Sequence, residues 1–264
     1  MVPRLVHMPA ALNLELEDAT LGVKAAERAR HHRQRLAIAS IMADMGLLST
    51  GLCVVELGAG NAELSLAIAK HMTPRAAAAS RFLLVDKQKP RRNAEGRMDK
   101  LHLDYERVRI GIEDLDLSGL VQRAVAPSPY AIACKHLCGA ASDFAIRAVA
   151  AAGARDTRQR PAAVLLGSCC HHRCTWRAYP NRRFLARLGF ATEHDFDVLC
   201  RLSSRGVDPH DTSTRAHTGR LAKDLLDQGR AEFLQQEVGF ERVELRTYVD
   251  GAVSPENALI VATS

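Results

Sequence analysis

Residues 52–60 read LCVVELGAG, and this stretch indicates the fold class most directly. Its first part, LCVVEL, is an apolar run with the length and β-branched content typical of a strand buried on both faces. The glycine-containing GAGNAE follows as a turn, and LSLAIAKHM after it has helical spacing. A buried strand that passes through a tight turn into a helix predicts the first unit of a parallel α/β sheet.

The rest of the chain repeats this alternation. Apolar runs predict further strands at residues 81–86, 107–112, 130–135, 161–167, 241–249 and 256–263, with helical patterns between most of them. The sequence therefore predicts an α/β fold with a mostly parallel seven-stranded sheet and helices on both faces. Residues 203–218 are polar and contain many turn-forming residues, which indicates an inserted loop.

The N-terminal part of the chain has a different pattern. We expect residues 1–48 to form an arm and a basic helix packed on a domain that spans residues 49–264. The predicted helix covers residues 22–48, with Leu36, Ala39, Ile41 and Met45 on one apolar stripe. Its basic residues are typical of a solvated helix face, and a patch that binds RNA is the alternative interpretation.

Composition excludes several classes of protein. The 264 residues are 47% hydrophobic and 25% charged, as in ordinary globular proteins, so general disorder is excluded. The chain lacks an apolar stretch long enough to span a membrane, and its first residues do not resemble a secretory signal. The seven cysteines form no CxxC pair. We therefore expect reduced thiols in an intracellular protein of the cytoplasm or nucleus, without a membrane partner.

The turn after the first strand has the pattern E-x-G-x-G, formed by Glu56, Gly58 and Gly60. A dinucleotide-binding turn carries a third glycine three residues later, but Glu63 stands there, and a carboxylate is unfavourable beside a pyrophosphate. The pattern resembles the S-adenosylmethionine loop of Rossmann-like class I methyltransferases. That resemblance implies S-adenosylmethionine as cofactor, with Glu56 near its methionine end.

Two further acidic positions fit the same cofactor. Asp86 ends the second strand, where a carboxylate can accept hydrogen bonds from both hydroxyls of a ribose. Glu113 and Asp114 follow the third strand, where they can meet an adenine amino group. Each signal is weak by itself, so a nucleotide ligand and the absence of any cofactor remain as alternatives.

Cysteines and histidines follow the fourth and fifth predicted strands. The two segments read KHLCG at 135–139 and SCCHHRCTW at 168–176. Because strand ends in open α/β sheets face the ligand crevice, a reaction site is the favoured interpretation. In that site Lys135, His136, His171 and His172 orient an acceptor or take its proton, and Arg173 holds an anion.

Two other interpretations of these segments stay open. The cysteines and histidines can be simple packing and loop residues. Zinc can be imagined on Cys138, Cys170, His172 and Cys174, but paired ligand spacing is missing and neighbouring residues of one turn point apart. We therefore expect no metal.

Four strings of sequence resemble one known family. They are KHLCGxAxD at 135–143, LGxCCHHRCxW at 166–176, GRxxKxLxDxGR at 219–230 and VSPEN at 253–257. Together they are similar to the eukaryotic tRNA 2′-O-methyltransferases (tRNA:m4X modification enzymes) that modify the fourth nucleotide of the acceptor stem. The resemblance covers residues 30–263. Members of this family carry zinc-finger modules ahead of the catalytic domain; residues 1–30 contain no cysteine, so we expect a catalytic domain without them.

The resemblance implies transfer of a methyl group from S-adenosylmethionine to a ribose 2′-hydroxyl of tRNA. The formal charge of +6 agrees with a polyanionic partner but does not require one. Lys87, Lys89, Arg91 and Arg92 follow the second strand and are candidates for contact with the phosphate backbone. The alternatives are a methyltransferase that acts on an RNA base or a small molecule, and an inert relative that only binds RNA.

Overall fold

The structure is a computed structural model that describes residues 4–6, 23–49, 51–90, 94–124, 129–156, 159–208 and 210–264. The strands are β1 (Arg4–Val6), β2 (Cys53–Leu57), β3 (Arg81–Val85), β4 (Asp104–Val108), β5 (Tyr130–Cys138), β6 (Ala163–Cys169), β7 (Arg242–Thr247) and β8 (Ala258–Thr263). The α-helices are α1 (Val23–Asp44), α2 (Glu63–His71), α3 (Pro74–Ala78), α4 (Glu95–Lys100), α5 (Leu117–Ala124), α6 (Ala140–Arg155), α7 (Arg182–Arg187), α8 (Glu193–Ser203) and α9 (Thr214–Phe233).

All the strands belong to one sheet, in the order β1-β7-β8-β6-β5-β2-β3-β4. Every neighbouring pair is parallel except those formed by β8, which runs antiparallel to both β6 and β7. The predicted α/β architecture with a mostly parallel sheet is confirmed. The seven predicted strands are joined by the short β1, which lies in the segment predicted as an arm.

The chain reverses its direction across the sheet after β4. It proceeds from β2 outward through β3 to β4 and then returns to β5, on the other side of β2. In open α/β sheets the ligand crevice lies at such a reversal, outside the carboxyl ends of the two strands. The crevice of this sheet is therefore expected between β2 and β5.

Alternate residues of the central strands supply two separate cores. Val54 and Ala133 face one core, whereas Val55 and Ile132 face the other. The first core also contains residues of α1 and α2, and the second contains residues of α5, α6 and α9. Because both faces of the sheet are covered, its central strands are apolar along most of their length.

Helix α1 packs firmly against the first core. Its side chains Ile38, Ile41 and Met42 are fully buried, and each such burial contributes about 1.5–3 kcal/mol. Of the predicted apolar stripe, Ala39 and Ile41 are fully buried and Met45 packs against the same core, whereas Leu36 is only partly buried. The buried face of the helix also includes Gln34, which the sequence did not indicate.

Three other details differ from the sequence prediction. Strand β4 begins at Asp104 and ends at Val108, earlier than the predicted 107–112. Helix α8 was missed, although its capping box of Thr192 and Asp195 is a sequence signal for a helix start. Helix α9 begins at Thr214, inside the segment predicted as a loop, with Ser213 as its N-cap.

Candidate active site

The carboxyl ends of β2, β3, β5 and β6 lie side by side in the sheet. Most of the residues singled out from the sequence follow these ends, so the fold brings their segments to one edge.

The turn after β2 needs glycine for its backbone conformation. Gly58 has φ +70° and Gly60 has φ +46°, both in the left-handed region. The amide of Gly60 donates a hydrogen bond to Asp86 Oδ2 over 2.8 Å, and its carbonyl accepts one from Arg107 over 3.1 Å. Asp86 and Arg107 therefore fix the turn from β3 and β4.

Glu56 is a buried carboxyl beneath this turn. Its Oε2 accepts hydrogen bonds from the backbone amide of Ser65, over 3.0 Å, and from the Ser65 hydroxyl. Burial raises the pKa of Glu56 to about 7, although both bonds from Ser65 act in the opposite direction. A cation placed next to Glu56 would favour the ionised carboxylate and so lower this pKa again. The negative charge of the carboxylate would in turn attract the cation.

Glu113 and Asp114 lie in a short 3-10 helix after β4, and both are exposed. Glu113 lines a cavity of about 510 Å³ together with Ile112, Phe144 and Arg147. The cavity is bounded by elements on the second-core side of the sheet. It gives Glu113 access to a ligand-sized space.

A β-bulge changes the direction of the side chains near the end of β5. Cys134 pairs with Leu166 and Leu137 pairs with Ser168, so β5 has one more residue than β6 in this interval. Cys134 and Leu137 both face the second core. The extra residue therefore lets two consecutive side chains, Lys135 and His136, turn toward α1 on the other face.

Gly167 makes room for this bulge from β6. A Cβ atom at this position would lie 2.4 Å from the carbonyl oxygen of Lys135. Real Cβ atoms do not approach an oxygen so closely, so only glycine fits opposite the bulge.

Helix α1 completes the surroundings of Lys135 and His136. His31 Nδ1 lies 3.1 Å from Lys135 Nζ, and Gln34 Oε1 lies 3.1 Å from His136 Nε2. The sequence prediction missed His31 and Gln34 because it assigned the polar residues of α1 to a solvated face. The interior position of Gln34 has no clear sequence signal, since polar residues also surround it in the helix.

Burial and nearby cations shift both titratable groups on the bulge. The pKa of Lys135 is lowered to about 8 by burial and by the positive charge of Arg35. The pKa of His136 is lowered to about 3 by burial and by Lys135. His136 is therefore a neutral imidazole at physiological pH. The pKa of Lys135 lies close to physiological pH, so part of its amine is uncharged there.

His171 belongs to a buried ionic network behind the end of β6. Its Nε2 lies 3.0 Å from Asp227 Oδ1, and Asp227 also accepts hydrogen bonds from Ser168 and Arg230. Arg230 in turn donates two hydrogen bonds to Asp143, over 2.8 and 3.1 Å. Burial by itself raises the pKa of Asp227, but the contacts with His171 and Arg230 lower it well below its usual range.

This network connects sequence strings that are distant along the chain. Arg230 Nη2 also contacts Cys174 Sγ at 3.0 Å. His171 and Asp227 line a second cavity, of about 260 Å³, together with Lys223 and Glu256. The sequence string at 219–230 contains these acidic and basic residues of α9, but the sequence did not indicate a role for them. Their partners lie on other elements, which a local pattern does not show.

Three thiols come together at the end of β5 and β6. The Sγ atoms of Cys138, Cys169 and Cys170 all lie within 4.8 Å of one another, and those of Cys138 and Cys169 are 3.2 Å apart. A hydrogen bond with Cys169 lowers the pKa of Cys138 to about 6 against the effect of burial. The four zinc ligands considered from the sequence do not converge on one point. Cys174 contacts Arg230 instead, and His172 is exposed.

The candidate RNA contacts are at the surface. Lys87, Lys89 and Arg173 are exposed, as are Arg28 and Arg30 on α1. The predicted contacts Arg91 and Arg92 lie outside the described residues. Arg97 of α4 forms an ion pair with Glu63.

A family model described as "Methyltransferase TRM13" matches residues 33–217 and 210–263 of the chain. The chain belongs to the TRM13 methyltransferase family. This result confirms the family that the sequence strings predict. Within the TRM13 match lie the glycine turn, the bulge of β5, the three-thiol cluster and the network around Arg230.

Curated relatives of the TRM13 family show similarity over most of the chain. The human "tRNA:m(4)X modification enzyme TRM13 homolog" is 26% identical, covering 88% of this chain and 64% of the relative. The enzyme named TRM13 from Yarrowia lipolytica is also 26% identical, covering 88% and 59%. The one from Schizosaccharomyces pombe is 24% identical, covering 96% and 71%. The chain thus spans somewhat less than two thirds of the human relative's length. Among the helices of the described residues, none has the length and apolar character needed to cross a membrane.

Proposed function

We propose that this chain is an S-adenosylmethionine-dependent tRNA 2′-O-methyltransferase with a Rossmann-like class I fold. Its target is the ribose of the fourth nucleotide in the acceptor stem. The observation that carries the proposal is that the Glu56–Gly60 turn and the Lys135–His136 bulge lie at the carboxyl ends of β2 and β5, the two strands at the reversal of the sheet. Family membership supports methyl transfer, and the names of the curated relatives support tRNA as the substrate.

The turn after β2 fits the proposed cofactor. No atom lies within 4 Å of the position that a Cβ of Gly60 would take, so a ligand can approach the backbone there. Glu56 would face the cationic end of the cofactor, and Asp86 keeps lone pairs for the ribose hydroxyls. Glu113 and Asp114 would meet the adenine amino group. When bound, S-adenosylmethionine supplies an electrophilic methyl group.

Lys135 is the residue that we assign to the acceptor hydroxyl. With a pKa of about 8, roughly a tenth of its amine is neutral at pH 7 and able to accept the proton as the 2′-oxygen attacks. In its charged form it would stabilise the developing negative charge on that oxygen. His136 is neutral and adjacent, and it orients the acceptor through hydrogen bonds.

The two other predicted catalytic histidines have different surroundings. His171 is buried against Asp227, so we assign it a positioning role for the segment after β6. His172 is exposed at the same turn, within reach of a large substrate. The exposed Arg173 next to it would hold a phosphate of the RNA.

The exposed cations supply the surface for tRNA. Lys87 and Lys89 leave the sheet at the same edge as Asp86, and Arg28 lies on α1, which covers the bulge. Phosphate contacts of this kind position an RNA helix without reading its sequence. The small number of aromatic residues agrees with recognition of duplex shape.

Methyl transfer to unmodified tRNA with a labelled donor tests the proposal. We expect Lys135→Ala to lower kcat by about 10²–10⁴-fold, with Lys70→Ala on the surface of α2 as the matched control. Lys135→Arg separates the two roles, because it retains the charge but cannot act as a base near neutral pH. Activity retained in Lys135→Arg indicates electrostatic stabilisation, and activity lost indicates proton transfer.

The position of the label on the RNA tests the substrate. A 2′-O-methyl group blocks alkaline cleavage at its own linkage, so we expect the label in an alkali-resistant dinucleotide from the acceptor stem. Label in ordinary mononucleotides would indicate a methylated base and contradict the proposal. Absence of binding heat with the demethylated cofactor would instead indicate an inert relative that binds only RNA.

A further inference from the structure

We propose that Cys138, Cys169 and Cys170 form a binding site for a thiophilic divalent cation of the Zn²⁺ type. The three thiolates would be the protein ligands, and the fourth position would be open to water on the exposed side of Cys138. Neither the methyl transfer proposed above nor the family assignment requires such a site.

The distances between the sulfur atoms fit one metal ion. Sulfur ligands of a tetrahedral zinc at 2.3 Å lie roughly 3.8 Å from one another. In this structure the Sγ atoms of Cys138 and Cys169 are 3.2 Å apart, and all three lie within 4.8 Å of each other. One sulfur–sulfur distance is therefore about 0.6 Å shorter than required and the other two exceed the required value by at most about 1 Å, so small side-chain rotations can bring all three to it.

The backbone is arranged to bring the third thiol to the other two. Cys138 and Cys169 are direct partners in the register of β5 and β6, so their side chains are neighbours. Cys170 is adjacent in sequence to Cys169, and consecutive residues of an extended chain point to opposite sides. Cys170 instead has φ +51° and ψ +45°, a left-handed conformation that is unfavourable for a residue with a Cβ.

This conformation distinguishes a metal site from a redox pair. A disulfide needs only two cysteines, and Cys138 and Cys169 are already in contact without any contribution from Cys170. Strain at a residue other than glycine persists where the surrounding structure enforces it and is frequent at functional sites. A metal ion with three thiolate ligands needs a third thiol beside the first two, and the left-handed turn at Cys170 supplies it.

The charge near the cluster is compatible with this site. Three thiolates and one divalent cation have a net charge of −1. Arg173, at the end of the same turn, acts on the Cys138 thiol as a nearby positive charge, and this effect is larger than the opposing one of the Glu256 carboxylate. It would offset the remaining negative charge of the complex.

The test measures metal content and spectra, and it does not depend on activity. The full chain is purified under reducing conditions without a metal-binding tag, and its zinc is quantified by plasma mass spectrometry. Cobalt is then titrated into the metal-free chain to detect thiolate-to-metal charge transfer. We expect about one equivalent of metal per chain and a charge-transfer band.

Two variants and one control locate the ligands. Cys170→Gly retains the left-handed backbone without the thiol, and Cys138→Ala removes the exposed ligand. Both are expected to weaken cobalt binding by at least about 100-fold, since the loss of a supporting residue outside the ligand set already costs 10–100-fold. Cys53→Ala, at the amino end of β2, is the matched control and keeps full binding.

Two results would overturn the proposal. One is that the wild-type chain takes up no metal after incubation with Zn²⁺ or Co²⁺, or that the Cys170→Gly variant binds the metal as tightly as the wild-type chain does. The other is a chain purified in air with an excess of Zn²⁺ in which peptide mapping still finds a Cys138–Cys169 disulfide, because bound zinc would protect its thiolate ligands and the disulfide would identify the cluster as a redox pair.

Discussion

Substitution of Gly167 by alanine tests the link between the β-bulge and the active site. The new Cβ would lie 2.4 Å from the carbonyl oxygen of Lys135 and 3.2 Å from that of Cys134, whereas ordinary contact begins at 3.4 Å. The two strands must separate by about 1 Å at this point. Both obstructing atoms belong to the backbone, so rotation of a side chain cannot relieve the contact.

The expected effect on stability differs from that on activity. Overpacking of this kind costs about 1–3 kcal/mol of the free energy of unfolding, measured by urea denaturation. Displacement of a reacting group by about 1 Å can lower a catalytic rate by about 10²-fold. We therefore expect a folded variant in which single-turnover methyl transfer is about 100-fold slower, because Lys135 has moved with its backbone.

Gly96→Ala is the matched control for this prediction. Gly96 lies in α4 with no atom within 4 Å of the new Cβ, and its φ is not positive. It is expected to leave activity unchanged and to stabilise the chain by about 0.4–1 kcal/mol. Gly167→Ala with wild-type stability and wild-type methyl transfer would refute the assignment of the bulge as the element that positions Lys135.

Three further predictions concern charge. Arg230→Leu leaves two buried carboxylates without their cation and is expected to cost about 3–5 kcal/mol in urea denaturation; a loss below 1 kcal/mol would mean that the network is not structural. The pKa of Glu56 is raised by burial from 4.5 to about 7, so its contribution to stability is fully present below pH 4.5 and is lost as the pH rises through 7. Thermal unfolding of the ligand-free chain between pH 4.5 and 7.5 should show this loss, of about 3 kcal/mol, and Glu56→Gln should abolish it; an unchanged pH dependence in the variant would contradict the assignment. The double variant Lys87→Ala/Lys89→Ala should weaken tRNA binding and reduce the slope of log K against log salt by about 1–2, measured by filter binding, whereas an unchanged slope would place the RNA elsewhere.

The alternation of strands and helices was predictable because it depends on local patterns. LCVVEL, the glycine turn and the helix after it follow from apolar periodicity and from the conformational freedom of Gly58 and Gly60. Helix α8 was also accessible from sequence, since its capping box at Thr192 is a recognisable signal. The start of β4 was misplaced because polar and apolar residues alternate weakly there.

The candidate site was only partly predictable. The sequence indicated which segments follow the strand ends, and Lys135, His136 and the cysteines lie in those segments. It did not indicate that His31 and Gln34 reach the bulge from α1, because a contact across about 100 residues leaves no periodic pattern. It also gave the general expectation that neighbouring residues of the turn after β6 point apart, and it did not indicate that Cys169 and Cys170 converge with Cys138.

The α/β class, the family and a set of candidate site residues followed from the amino-acid sequence, because these depend on local periodicity and on strings of neighbouring residues. The placement of these residues relative to one another followed only from the packed chain. An extra residue in β5 turns Lys135 and His136 toward α1, a left-handed turn brings Cys170 to its two partners, and the buried Arg230 connects α6 to α9. Each of these depends on register, burial or backbone conformation, which arise only when distant segments pack together.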